Sequence, residues 1–175
     1  MRPSQRASAF EQAVAPHLRA AYDLCRWLIR DATEAEDALQ EACMRAFRFF
    51  DGFSGQNPRA WLLAVVRNTC FTRLKARAAV KQEALDDGTV VHLPRHPDPE
   101  AALLSSATAR SINDAVAALP DEFREVFVLR ELEGLSYKEI AEVAQVPIGT
   151  VMSRLSRARE ALQRALSRDG KEKTP

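Results

Sequence analysis

The stretch Gly149–Glu160 reads GTVMSRLSRARE. Serine and arginine crowd it, yet an apolar residue keeps returning. At about 100° per residue, Val151, Leu155, Ala158 and Leu162 fall on one narrow stripe, the spacing of a buried helix face. The opposite side then carries Gly149, Ser153, Ser156 and Arg157, with Met152 and Arg159 on one flank and Thr150 and Arg154 on the other. From Val146 to Arg168 there are five arginines against one glutamate, a balance that suits phosphate. Taken alone, such a helix reads as a solvated charged face; its upstream neighbour changes that.

Immediately before it runs LEGLSYKEIAEVAQVPIGTV, residues 132–151. Ser136 and Glu139 have the S-x-x-E spacing of a capping box, in which each side chain satisfies an orphan N–H at a helix start. Ile140 and Val143, with Ala141 and Ala144, supply a small apolar face, and Pro147 suits the first turn of the following helix. Two short helices joined by a tight turn, the second basic on its outer side, describe a helix-turn-helix whose second helix enters the major groove. A preceding helix opens at Leu119-Pro120-Asp121-Glu122, turns Phe123, Val126 and Phe127 inward and closes at Gly134. Such a module binds DNA; it does not by itself distinguish repression, activation or recruitment.

The chain has 175 residues, enough for one ordinary domain or two small ones, with 46% hydrophobic residues and only six glycines, which points to a largely helical protein. Its net charge of +1 hides a segregation. Residues 42–82 hold eight Lys or Arg against Asp51 alone, whereas residues 83–100 hold five acids against Arg95. This alternation suggests a polyanion partner. No signal-peptide core or membrane-length apolar run is present, so a cytoplasmic protein without membrane association is expected. Cys25, Cys43 and Cys70 are odd in number and widely spaced, and His17, His92 and His96 add no ligand spacing, so reduced packed thiols are favoured over a metal site. No phosphate-loop, nucleophile-elbow or paired-acid pattern occurs. No catalytic residue, metal or cofactor is expected.

Between Ala79 and about Ser105 the periodicity breaks into LDDGTVVHLPRHPDPE, which is turn and loop chemistry and marks a boundary. This linker reads equally as a passive tether or as a functional acidic strand. A helix resumes over Ala101–Ala118. In the N-terminal half, a helix from about Thr33 to Phe50 buries Ala35, Leu39, Ala42, Ala46 and Phe49 or Phe50. Asp37, Gln40, Glu41, Met44 and Arg48 face away, either as a solvated face or as a docking face for a partner. The loop DGFSGQN follows, with Phe53 apparently exposed and Asn57-Pro58 as cap and first turn of the next helix. That helix starts apolar on nearly all sides (Trp61, Leu62, Leu63, Val65, Val66) and ends basic (Arg67, Arg73, Lys75, Arg77). An aromatic in such a loop beside a basic helix suits unpaired bases.

The order EAEDALQEA, FRFFDGFSGQNPRAWLLAVVRN, an acidic linker, LPDEFREVFVLRELEGLSYKEIAEV and GTVMSRLSRAR resembles a bacterial extracytoplasmic-function (ECF) sigma factor from about Phe10 to Leu166. The resemblance implies an all-α protein of two small helical domains: region 2 over residues 1–78, a linker and the start of a connecting helix over 79–110, region 4 over 111–168, and a polar tail over 169–175. It implies binding to core RNA polymerase, promoter selection and promoter opening. Asp37, Gln40, Glu41 and Met44 would then dock on the clamp helices of the largest polymerase subunit, and the flap would be a further contact. The loop with Asp51, Gly52, Phe53, Ser54, Gln56 and Asn57 would capture a flipped base of the -10 element, with Arg67, Asn68 and Arg73 near that DNA. Thr150, Met152, Ser153, Ser156 and Arg157 would face base edges of the -35 element, and Arg154 and Arg159 its phosphates. The linker would thread the polymerase cleft and RNA exit channel, and an anti-sigma protein would cover these surfaces until released.

The family often has a basic residue where Met152 stands, and sometimes an aromatic where Ser156 stands. This leaves the -35 sequence unassigned. The short end SRDGKEKTP gives no expectation of a built-in sensory domain. A two-domain regulator with a LuxR-like helix-turn-helix also fits the residues after Leu119, but leaves AEDALQEA and NPRAWLLAVVRN unexplained. A nucleic-acid enzyme fits less well, since no metal-binding acids or nucleophile accompany the basic surfaces.

Overall fold

Alanine sets the helix spacing in the first half of the molecule. The computed structural model describes residues 3–86 and 107–172, all helix or connecting turn without a strand among them. The chain forms two compact units, Met1–His96 and Pro97–Pro175. In the first, α1 (Pro3–Val14) leads through a 3₁₀ turn (Ala15–His17) into α2 (Leu18–Ile29), α3 (Ala32–Phe49) and, after a second 3₁₀ turn (Phe50–Gly52), α4 (Pro58–Asp86). The inward face of α3 is Ala35, Ala38, Ala42 and Ala46, all buried. Methyl-sized side chains let α3 lie close against α2 and α4, whose larger residues fill the space: Leu24, Leu28 and Ile29 from α2, Leu62, Leu63 and Val66 from α4.

This corrects the expected stripe at one place and decides it at another. Ala38 takes the buried position beside half-buried Leu39, and of the two adjacent phenylalanines Phe50 turns inward while Phe49 is exposed. Neighbours on a helix diverge by about 100°, so only one of the pair can reach the core. The helix starts at Asp31, whose carboxylate accepts from the Glu34 N–H at 2.9 Å. Cys25 and Cys70 are both buried, and the Cys70 thiol donates to the Cys25 sulfur at 3.7 Å. That hydrogen bond, together with burial, pushes the Cys70 thiol well up, and burial raises Cys43 as well. Cys43 and Cys70 are therefore held as thiols, and Cys25 and Cys70 pack in the core.

Helix α4 runs to Asp86, eight residues into the linker expected to start at Ala79. Residues 79–86, AVKQEALD, contain good helix formers and no breaker before Gly88, so propensity carries the helix on. The rest of the acidic linker, Asp87–Glu100, the segment 101–106 and the tail 173–175 lie outside the described residues.

The second unit has α5 (Ala107–Ala117), α6 (Asp121–Phe127) continuing into a π turn (Val128–Leu132), α7 (Tyr137–Ala144) and α8 (Ile148–Glu172). Its core takes Val116, Leu119, Val126, Leu129, Leu135, Ile140, Val143, Val151, Leu155 and Ala158. Phe123 and Phe127, expected inward, are only half-buried; Arg124 and Glu125 occupy the interior instead. Arg124 is 1% exposed. It donates to the Leu119 carbonyl at 2.6 Å and to Asp121 Oδ1 at 2.9 Å, joining α6 to the chain end of α5. Burial lowers its pKa, and Asp121 opposes that shift.

The turn after α6 uses Gly134 at φ 68°, a left-handed position that glycine adopts without steric cost. Both halves of the expected capping box are present: Ser136 Oγ accepts from the Glu139 N–H at 3.2 Å, and the Glu139 carboxylate accepts from the Ser136 N–H at 2.8 Å. Ser136→Ala is expected to destabilise this unit by about 1 kcal/mol, read as a lower thermal midpoint. An unchanged midpoint contradicts the assigned role of the cap. Helix α7 ends at Gln145 in the left-handed region (φ 57°), and three residues later α8 begins. The expected Pro147 stands just before the first helical residue, with its carbonyl accepting from Thr150 and Val151.

Candidate nucleic-acid interface

Helix α8 is built as its sequence pattern requires. Val151, Leu155, Ala158 and Leu162 are buried, which forces Gly149, Met152, Ser153, Ser156, Arg157 and Arg159 to the exposed side. Thr150 and Arg154 are half-buried at its edge. The capped α7, the left-handed turn at Gln145 and α8 together form a helix-turn-helix, the second helix presenting hydroxyls, a thioether and guanidinium groups.

The three arginines of this surface are not equivalent. Arg154 reaches Glu122 of α6 at 3.2 Å and is 16% exposed. Arg159 donates to Glu131 at 2.6 Å, a bond that raises its pKa further. Arg157 has no ion pair among the described residues and is exposed. The expected phosphate-facing pair is thus held by acids of the protein, while the expected base-facing arginine projects freely. Sequence alone does not reveal this, because Glu122 and Glu131 come from another element.

In the other unit the loop 51–57 is fastened at several points. Asp51 Oδ1 accepts from Arg6 Nε at 2.9 Å, and Asn57 Oδ1 caps α4 by accepting from the Ala60 N–H at 3.1 Å. Phe53, expected to be exposed, is half-buried: its ring lies 4.7 Å from that of Trp61 and 6.0 Å from Phe50, and Phe50 meets Phe10 edge-on at 5.4 Å. Each such pair contributes about 0.5–1.5 kcal/mol beyond area burial, so the cluster anchors the loop. Gly52, Ser54, Gly55 and Gln56 remain exposed, with Gly55 at φ 78° making the turn. The result is a preformed rim resting on an aromatic floor.

On α4, Arg73 pairs with Glu41 of α3 at 2.9 Å, Arg77 pairs with Glu34 at 3.2 Å, and Arg67 lies over the Phe71 ring at 4.2 Å while donating to Asn68 at 3.3 Å. Arg73 is therefore not the free cation that the composition suggests. Lys75 and Lys81, exposed and without an ion pair among the described residues, are the more available charges. Glu41 is shared between Arg73 of α4 and Arg45 of its own helix, so its carboxylate is engaged at the α4 side and not free on the expected outer face. Asp37, Gln40 and Met44 do lie outward, Met44 being 69% exposed.

The sequence matches the sigma-70 region 2 profile over residues 13–80 and the sigma-70 region 4 profile over residues 109–162. It is 34% identical over 166 residues to the RNA polymerase sigma-H factor of Pseudomonas aeruginosa, a match covering 90% of this chain and 86% of that protein. It is 36% identical over 150 residues to the ECF RNA polymerase sigma-E factor of Haemophilus influenzae, covering 80% and 77%. Among solved structures, the sigma factor RpoE of Bartonella quintana, in complex with the anti-sigma factor NepR, is 30% identical with a TM-score of 0.74, covering 91% of this chain and 97% of that one. CnrH, in complex with the cytosolic domain of CnrY, is 27% identical with a TM-score of 0.68, covering 95% of each chain. Two helical units, a helix-turn-helix with an exposed arginine and relatives of near-equal length lead to one assignment: the chain belongs to the ECF family of RNA polymerase sigma factors.

Proposed function

We propose that this protein joins core RNA polymerase and directs it to promoters carrying two spaced elements, with polymerase supplying all catalysis. Residues 111–168 act as region 4, with α8 in the major groove of the -35 element. Thr150, Met152, Ser153, Ser156 and Arg157 approach base edges, and Arg154 and Arg159 lie beside the phosphates. Residues 1–78 act as region 2. An extruded base of the -10 element needs new stacking and hydrogen-bond partners to offset the few kcal/mol lost on leaving the duplex. The rim of Gly52, Ser54 and Gln56 above Phe53 and Trp61 supplies backbone and side-chain donors and acceptors for it. Asp51 and Asn57 brace that rim, while Arg67, Asn68 and Arg73 border the path of the opened strand.

Asp37, Gln40 and Met44, with Glu41 at their edge, form the surface that meets the clamp helices of the largest polymerase subunit; the flap meets region 4. The protein acts in the cytoplasm, alongside polymerase and chromosome. The solved relative RpoE, bound to the anti-sigma factor NepR, supports a corresponding regulator for this chain, covering the same surfaces until a signal releases it. The observation that carries this reading is the exposed Arg157, without an ion pair among the described residues, on the second helix of a capped helix-turn-helix.

Two arrangements are separated by polymerase dependence. In a gel-shift assay, specific promoter binding is expected only with core polymerase present, whereas a shift by the protein alone favours a stand-alone regulator. The double substitution Asp37→Ala and Met44→Ala is expected to weaken core binding by at least tenfold, which is about 1.4 kcal/mol shared between two contact residues. Both side chains are exposed, so the helical signal should not change. Unaltered core affinity removes the docking assignment.

A further inference from the structure

We propose that Met152, with Ile148 one turn before it, makes upstream promoter recognition depend on the 5-methyl group of thymine. The inference rests on α8 being the recognition helix and extends that reading to base identity. Met152 is 54% exposed and Ile148 45%. Four residues apart, they lie on one row of the helix, separate from the buried stripe of Val151, Leu155 and Ala158. They occupy the first turns of α8, the part of a recognition helix that reaches base edges.

In the major groove the thymine methyl is the apolar feature of a base edge; the other groups are hydrogen-bond donors or acceptors. A thioether accepts hydrogen bonds weakly, and an isoleucine side chain neither donates nor accepts. Guanine or adenine beneath this pair would lose water from N7, O6 or N6 without gaining a partner, which is unfavourable. Thymine places methyl against methyl and sulfur, and the unbranched Met side chain adjusts to its position. The surroundings select DNA as the occupant. Ser153 and Ser156 offer exposed hydroxyls beside the patch, and Arg157, without an ion pair among the described residues, supplies charge for a polyanion.

The test uses the full chain assembled with core RNA polymerase. Duplexes selected from a randomised pool define the upstream element; each of its thymines is then replaced by deoxyuridine, which removes only the methyl group. Affinities are compared for the unaltered protein, Met152→Ala and Arg157→Ala. Met152 lies outside the core, and circular dichroism verifies that its variant folds. The expected result is a loss of about 3–10-fold on deoxyuridine substitution at one or two adjacent positions, the scale of one buried methyl group. Met152→Ala should bind both duplexes alike, and Arg157→Ala should bind more weakly while keeping the thymine preference. An element without thymine, or equal affinities at every position, or an undiminished preference in Met152→Ala overturns the inference while leaving α8 as the reader, provided binding still depends on Arg157. A pool yielding no upstream element overturns both.

Discussion

Arg157→Ala is expected to lower the affinity of the polymerase complex for its upstream element by about 1–3 kcal/mol and to relax selectivity at one base pair. The magnitude follows from availability. Arg154 is tied to Glu122 and Arg159 to Glu131, so moving either onto DNA first gives up an intramolecular ion pair. Arg157 gives up none among the described residues, and its planar fork matches the O6 and N7 acceptors of guanine. Alanine is the best helix former, so α8 should remain intact. The alternative role has a different signature. If Arg157 contacts phosphate, its removal weakens all sequences alike and reduces the salt slope by about 0.9. Arg154→Ala and Arg159→Ala should each have smaller effects on DNA binding. An Arg157→Ala complex with unchanged affinity and selectivity would remove this residue from the interface.

Arg124→Ala is expected to destabilise the second unit by about 3 kcal/mol, the lower end of the range for removing one partner of a buried ion pair, because Asp121 remains half-exposed. Three losses combine: the hydrogen bond to the buried Leu119 carbonyl, the ion pair with Asp121, and the volume of a large buried side chain. Arg124 also fixes α6 against the end of α5, and α6 carries the Glu122 that holds Arg154. Promoter binding should therefore fall with stability, and recover on cooling to temperatures at which the unit is folded. Arg124→Met, which keeps much of the volume, should recover part of the stability but not the carbonyl contact. Chemical denaturation decides the matter: a loss below about 1 kcal/mol for Arg124→Ala would mean that the interior position contributes no more than an ordinary surface site.

Local chemistry made much of this fold legible. The Ser136–Glu139 box, the Asn57 cap and the buried stripe of α8 depend on residues within a few positions of one another, and all three stand as the sequence implies. Contacts between distant elements were not legible. Arg6 with Asp51, Arg73 with Glu41, Arg154 with Glu122 and Arg159 with Glu131 join residues 28 to 45 positions apart, so which cations remain available emerges only after packing. Arg124 was hidden for another reason: charged residues are rarely interior, and the pattern around it offers two phenylalanines that seem better candidates. Phe53 looked exposed because its loop is polar, but Phe50 and Trp61, adjacent in space, give it an apolar seat. The overrun of α4 into the acidic segment reflects helix propensity outlasting the hydrophobic pattern from which the boundary was read.

The most direct test is run-off transcription with purified core RNA polymerase on fragments of the source genome, with and without the protein, followed by sequencing of the transcript ends. The account predicts new start sites that share two spaced upstream elements, and loss of those starts when Arg157 or the Asp37–Met44 surface is altered. The absence of new starts, together with specific DNA binding by the protein without polymerase, would contradict it.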